Sequence, residues 1–250
     1  VTEPNLVLTR LAGDESAAHL LVLGPSLGTG VAGLWSDCAK LLPPDWQVVG
    51  WDLPGHGASP PATHAFTVDE LAAAVRTRSA ELAAGRRAAY AGVSLGGAVG
   101  FTLALEPGPF DAIVTLASAP RIGTPEGWRE RAAYVRRAGT AAMVEGSATR
   151  WFAPGFFARD PVTGCGLLLA LQHVDDASYA LACEALATYD VRDRLTSAKV
   201  PPLVAGGAHD TVVTPDQVDV VLDGVAHLPP AEDPAATARL LTTHLSGEQR

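Results

Sequence analysis

Tyr90-Ala91-Gly92-Val93-Ser94-Leu95-Gly96-Gly97-Ala98-Val99-Gly100-Phe101 decides the fold, because a Gly-x-Ser-x-Gly turn (Gly92, Ser94, Gly96) joins a short apolar run to a helix of small residues. A strand that turns so sharply into a helix needs glycines beside the serine, since a Cβ there would collide with adjoining backbone, and the hydroxyl is left projecting above the sheet. Ser94 is therefore the candidate nucleophile.

Working upstream, His19–Leu23 is an apolar run closed by Gly24-Pro25, Leu6–Leu11 alternates weakly, and Val48–Trp51 is a third strand signal. The stretch Asp52-Leu53-Pro54-Gly55-His56-Gly57 is too rich in proline and glycine for anything but a loop. From Thr67 the positions Val68, Leu71, Val75, Ser79 and Leu82 recur at helical spacing, and Thr67 followed by Glu70 makes a capping box, so a helix runs from there to about Gly85. The strand Ala88–Val93, the Ser94 turn, a helix to about Leu105 and the strand Ala112–Ala117 follow in order. Strands and helices alternating in this way predict an α/β fold with a mostly parallel central sheet and helices on both faces.

Downstream the strand signal stops. Between Pro120 and about Leu195 the alanine-rich stretches Trp128–Ala138, Thr140–Phe152, Gly166–His173 and Ser178–Tyr189 are helical, and strands resume only at Pro202–Ala205 and Val218–Leu222, before a closing helix near Pro234–Leu245. The expected organisation is a core made of residues 1–120 and 196–250, with residues 121–195 inserted as a helical cap. No internal repeat interrupts it.

The composition narrows the function. At 250 residues with 48% hydrophobic content there is material for one large core. A formal charge of −9 opposes nucleic acid or an anionic membrane surface, both of which need a basic face, but leaves room for a small anion met by one well-placed cation. Cys38, Cys165 and Cys183 form no Cys-x-x-Cys pair and are odd in number, which argues against disulfides and a zinc site and for a reducing compartment. The N-terminal Val-Thr-Glu-Pro-Asn-Leu-Val-Leu has no initiator methionine, basic n-region or apolar h-region, and no stretch approaches the length of a membrane span. A cytoplasmic location is expected, and nothing specifies an oligomeric state.

A serine hydroxyl is a poor nucleophile at neutral pH and needs a base, itself oriented by an acid. In the α/β-hydrolases, which this turn resembles, these arrive later in the chain, acid first. Asp210 is the first acidic residue after the strand Pro202–Ala205, in Gly206-Gly207-Ala208-His209-Asp210, and His227 lies in the loop after the next strand. His209 and His244 are the rival bases: the first adjoins Asp210, so that the two side chains should diverge, and the second falls in the closing helix. The oxyanion of a tetrahedral intermediate calls for two N–H groups. Leu95 supplies one and Ser26, in Gly24-Pro25-Ser26-Leu27-Gly28, the other, since Pro25 has none.

Over nearly its whole length the chain resembles the 3-oxoadipate enol-lactonases of the α/β-hydrolase superfamily. Asp52–Gly57, Gly92–Gly97 and Gly206–Asp210 carry the superfamily likeness; Ser26-Leu27-Gly28-Thr29, Arg121-Ile122-Gly123-Thr124, Arg150-Trp151-Phe152 and Tyr189-Asp190-Val191-Arg192 carry the narrower one. The resemblance implies hydrolysis of 3-oxoadipate enol-lactone to 3-oxoadipate, a step of aromatic catabolism in the β-ketoadipate pathway, through an acyl-enzyme on Ser94 and with no metal or organic cofactor. The small anionic lactone would need a cation in an apolar pocket. Arg121, in the family motif, is the candidate, with Trp128 as a pocket wall.

One departure stands out. Only 16 residues separate Asp210 from His227, whereas the family has a longer segment there and a parallel crossover takes a dozen residues or more, usually with a helix. Either the helix is absent, or Val218–Leu222 is not a strand, or residues are missing from the chain here. Two other functions compete: a general carboxylesterase with the same triad, and a non-catalytic member of the fold that binds a small ligand. A dehalogenase would carry aspartate where Ser94 stands.

Overall fold

The computed structural model describes residues 3–245. Its core is a seven-stranded sheet of β1 (Leu8–Ala12), β2 (His19–Gly24), β3 (Trp46–Trp51), β4 (Arg87–Val93), β5 (Phe110–Leu116), β6 (Leu203–Gly207) and β7 (Val220–Leu222), in the order β1-β3-β2-β4-β5-β6-β7. Only the β1–β3 pair is antiparallel. The inner strands β2 and β4 are buried on both faces, which is why they read as continuous apolar runs rather than as alternating ones.

Helices α1 (Val31–Ala39), α2 (Val68–Ala83) and α3 (Leu95–Leu105) follow β2, β3 and β4. All eleven residues of α3 are buried, as expected of a helix apolar on every side, and it packs on β4, β5 and α2. The capping box of α2 forms: Thr67 Oγ1 accepts from the Glu70 N–H at 3.1 Å while the Thr67 N–H donates to Glu70 Oε2 at 2.8 Å. Helix α1 has no counterpart in the sequence reading, because Gly30 at its N-cap offers no capping side chain. Asp52, from the loop after β3, does that work instead. Its Oδ1 accepts from the Val31 N–H at 2.7 Å and its Oδ2 from the Ala58 N–H at 2.9 Å.

Between β5 and β6 the chain is helical: α4 (Pro125–Ala138), a 3₁₀ turn (Thr140–Met143), α5 (Val144–Trp151), α6 (Phe156–Arg159), α7 (Pro161–Gln172), α8 (Asp176–Thr188) and a second 3₁₀ segment (Arg192–Ser197). The Asp52–Gly57 loop ties these helices to the core, since Gly55 O accepts from the Asp175 N–H at 3.1 Å. His56 in the same loop is 1% exposed and stacks on Tyr179 of α8, with ring centroids 6.2 Å apart. Among the described residues no helix is long and apolar enough to cross a membrane.

His56 carries a pH dependence with it. Its Nδ1 bonds Pro54 O at 2.9 Å, its Nε2 is buried with no partner among the described residues, and burial lowers its pKa from 6.5 to about 4 against the opposing pull of Pro54 O and Asp175. Below pH 6.5 the unfolded chain takes up a proton that the folded one refuses until about pH 4, so stability is intact above that window and falls through it. The expected loss is on the order of 3 kcal/mol. Urea unfolding of wild type and His56→Asn at pH 7.5 and pH 5 measures it: the variant should lose markedly less on acidification, and an equal loss would remove His56 as the cause.

The short segment after Asp210 is resolved by the topology. β7 is a parallel strand, with Ala205↔Val220, Gly206↔Val221 and Gly207↔Leu222 in register, and it begins two residues later than Val218. The crossover, residues 208–219, holds only a 3₁₀ turn at Pro215–Gln217, so the helix is what is absent. Asp219 closes the connection from both sides, its N–H donating to Val204 O at 2.9 Å and its Oδ2 accepting from the Val204 N–H at 3.1 Å. The chain ends through α9 (Pro229–Glu232) and α10 (Pro234–Leu245).

Candidate active site

Ser94 sits at the bend between β4 and α3 with φ 54° and ψ −110°, a conformation that L residues avoid. The surroundings hold it there. The Ser94 N–H donates to Leu116 O, its carbonyl accepts from the Ala98 N–H and from Ser118 Oγ, all at 2.8 Å, and the Gly96 N–H reaches Pro25 O at 2.9 Å. A Cβ on Gly92 would run into the Gly96 carbonyl, and one on Gly96 would stand 2.6 Å from Pro25 O. The two glycines of the motif are therefore required by close backbone approach.

A cavity of about 310 Å³ opens beside this bend, lined by Ser94 and His227 from the core and by residues of α4, α5 and α8. His227 is 4% exposed, and its Nδ1 lies 2.9 Å from Asp210 Oδ2. With a carboxylate at Nδ1 the ring proton belongs there, and Nε2 is left as the acceptor nitrogen. Asp210 is fixed in turn through its other oxygen, which accepts from the N–H groups of Val212 at 2.8 Å and Val213 at 3.2 Å. His209 is exposed and His244 lies in α10; neither lines the cavity.

Ser26 lines the cavity, and Leu95 opens α3, where the first N–H groups have no carbonyl of their own helix to bond and the helix dipole favours negative charge. The Ser26 N–H is 3.1 Å from Thr29 Oγ1, so an oxyanion there would share that donor.

The cations of the cavity differ from the sequence expectation. Arg121 is not among the lining residues; it is partly exposed and lies 4.0 Å from Asp190, to which Arg192 also binds at 2.6 Å. Arg131 and Arg150 line the cavity instead, with Trp128. Trp128 and Arg131 stand three residues apart on α4, and Ser147, Arg150 and Trp151 share one face of α5 by the same spacing. Arg131 lies 4.7 Å over the Trp128 ring, whose Nε1 donates to Ile122 O at 2.6 Å. Burial, and secondarily the charge of Arg131, push the Arg150 guanidinium below its usual pKa. Among the described residues neither arginine is ion-paired, and no acidic side chain lines the cavity. The position of Arg131, three residues beyond Trp128 on a helix, was the signal that could have identified it. Arg150 belongs to the Arg150-Trp151-Phe152 stretch that carries the narrower family likeness. Among the described residues no cluster of His, Cys, Asp and Glu has the makings of a metal site.

Residues 20–229 match the family described as the alpha/beta hydrolase fold. The chain is 32% identical over 228 residues to 3-oxoadipate enol-lactonase 2 of Acinetobacter baylyi, a stretch that covers 91% of this chain and 85% of that one. To 3-oxoadipate enol-lactonase 1 of the same organism it is also 32% identical, over 206 residues, 82% of this chain and 76% of that one. In structure it is similar to the enol-lactonase from Burkholderia xenovorans LB400, with a TM-score of 0.88, 28% identity and 96% of each chain covered.

Proposed function

Because the chain belongs to the α/β-hydrolase superfamily and, within it, to the family of the 3-oxoadipate enol-lactonases, we propose that this carboxylic ester hydrolase opens 3-oxoadipate enol-lactone to 3-oxoadipate, in the β-ketoadipate route of aromatic catabolism. One observation carries the choice of substrate: beside Ser94 and His227, the charged residues of the cavity are the cations Arg131 and Arg150. A chain of net charge −9 that keeps in one small cavity two guanidinium groups with no ion pair among the described residues is suited to an anion there. The lactone carries a carboxylate.

In the proposed reaction Ser94 Oγ attacks the lactone carbonyl while His227 Nε2 takes its proton. The tetrahedral oxyanion is met by the N–H groups of Leu95 and Ser26. Its collapse breaks the ring C–O bond, leaving an acyl-enzyme on Ser94; the freed ring oxygen takes the proton from His227 Nε2 to become an enol, which tautomerises to the ketone, and the imidazole is neutral again. An enol leaves more readily than an alkoxide, so this step depends less on protonation by the imidazolium. Water, deprotonated at His227 Nε2, then attacks the acyl carbon, and collapse of the second tetrahedral intermediate breaks the bond to Ser94 Oγ, which takes the proton back from Nε2 as the acid leaves. Asp210 holds the imidazole tautomer throughout.

Ring opening of the enol-lactone, followed by ultraviolet absorbance beside hydrolysis of a neutral p-nitrophenyl ester, tests this. Arg150→Ala and Arg131→Ala are each expected to lower kcat/KM for the lactone about 10- to 100-fold, chiefly through KM, as suits the loss of a charge-assisted hydrogen bond. The neutral ester should be little affected, and Arg121→Ala should not discriminate between the two. Equal losses on both substrates would withdraw the anion site. Turnover of the ester without the lactone would make the protein a general carboxylesterase.

A further inference from the structure

Glu232, the last residue of α9, is 4% exposed, yet its carboxylate stands outside the cavity and takes no part in the proposed chemistry. A carboxylate removed from water costs free energy unless its oxygens are bonded. Here every partner is a backbone N–H. Oε1 accepts from Ala226 at 2.8 Å and from Leu228 at 3.3 Å, the residues on either side of His227. Oε2 accepts from Ala153 at 2.6 Å, two residues beyond Trp151 in the cap. The His227 N–H crosses the same junction to Trp151 O at 3.2 Å, and Arg159 donates to the Glu232 carbonyl at 2.8 Å.

We propose that Glu232 is a positioning residue: its carboxylate clamps the loop bearing His227 to the cap segment bearing Arg150 and Trp151, so that the base and the anion site are set by one side chain. The inference rests on the hydrolase reading above for its kinetic consequence, but not for its geometry. Both elements it joins are irregular chain, residues 225–228 and 152–155, with no ladder or helix to hold them. His227 has the Asp210 bond to orient its ring, and the backbone under that ring is held by Trp151 O and by Glu232. Arg150 lies three residues before Ala153, close enough for the same contact to set its reach into the cavity.

The test is Glu232→Gln, which keeps the volume and one acceptor oxygen but turns the other oxygen into an amide N–H₂ facing a backbone N–H. On a neutral p-nitrophenyl ester kcat should fall about 100-fold with KM nearly unchanged, the cost of a small misplacement of a catalytic group. On the anionic lactone KM should rise as well. A fold that was merely loosened would not separate the substrates in this way. The downfield proton resonance of His227 Nδ1–H, assigned by its loss in His227→Ala, should broaden or move upfield in the variant. An unchanged resonance, or an unchanged kcat where the wild type is active, overturns the proposal. The resonance needs no turnover, so a wild type that opened neither ester would refute the hydrolase reading while the clamp was still decided. Should Glu232→Gln fail to fold, amide exchange in the wild type decides: Ala153, Ala226 and Leu228 are expected to share one degree of protection, and free exchange at any of them overturns the clamp.

Discussion

Replacing Ser94 by glycine is expected to abolish ester hydrolysis and, relative to Ser94→Ala, to raise the stability of the fold. The two effects have separate causes. Loss of the hydroxyl removes the only atom in the proposed scheme that can form the acyl-enzyme, and removal of a triad nucleophile costs about 10⁶ in kcat, the residue of activity coming from binding and the oxyanion donors. The stability effect comes from the backbone. At φ 54° and ψ −110° a residue with a Cβ is strained by about 1–3 kcal/mol. Glycine relieves that strain and gives back part of it as unfolded-chain entropy, so Ser94→Gly should exceed Ser94→Ala by about 1 kcal/mol. Labelling by a fluorophosphonate, which should be stoichiometric in wild type and absent in both variants, reads the first effect, and urea unfolding reads the second. Wild-type labelling in Ser94→Ala would remove the nucleophile from this position; an alanine variant more stable than the glycine one would remove the strain.

Asp210→Asn should lower kcat about 10⁴-fold while leaving KM and the fold close to wild type. Asp210 accepts three bonds, two at Oδ1 from Val212 and Val213 and one at Oδ2 from His227 Nδ1, and an amide cannot accept at both atoms. In asparagine the single carbonyl oxygen satisfies the two backbone donors, and the N–H₂ group then faces Nδ1. That reverses the imidazole. Nδ1 becomes the acceptor, the ring proton moves to Nε2, and the nitrogen that should take the proton of Ser94 already carries one. Steady-state hydrolysis of a p-nitrophenyl ester, with circular dichroism as the check on folding, measures this. A loss of less than about tenfold would mean that Asp210 does not orient the base.

Local sequence chemistry made much of this protein legible. The strand-turn-helix around Ser94 is written in residues that touch one another along the chain: small residues where backbones meet, apolar ones on both faces of β4, and none but apolar or small residues and Thr102 in α3. The capping box at Thr67 and Glu70 is local for the same reason. Asp210 and His227 could be found because each follows a strand, and strand ends in a parallel sheet come together at one edge whatever the intervening chain does.

What escaped the sequence depended on contacts between distant segments. Helix α1 begins where Asp52, twenty-one residues on, supplies its cap. Glu232 is marked by nothing in its own neighbourhood, because its partners are N–H groups of a loop and of the segment after Trp151, which are remote from each other in the chain. The choice of cation was of this kind too. Arg121, Arg131 and Arg150 have the same side chain, and whether a guanidinium faces a cavity or lies beside a carboxylate such as Asp190 depends on how the helices between β5 and β6 are placed. The amino-acid sequence by itself determined the α/β architecture and the bend that presents Ser94, because those follow from the steric needs of neighbouring residues. Only the tertiary structure decided which charges surround it, because electrostatic pairing acts through space and is blind to order along the chain.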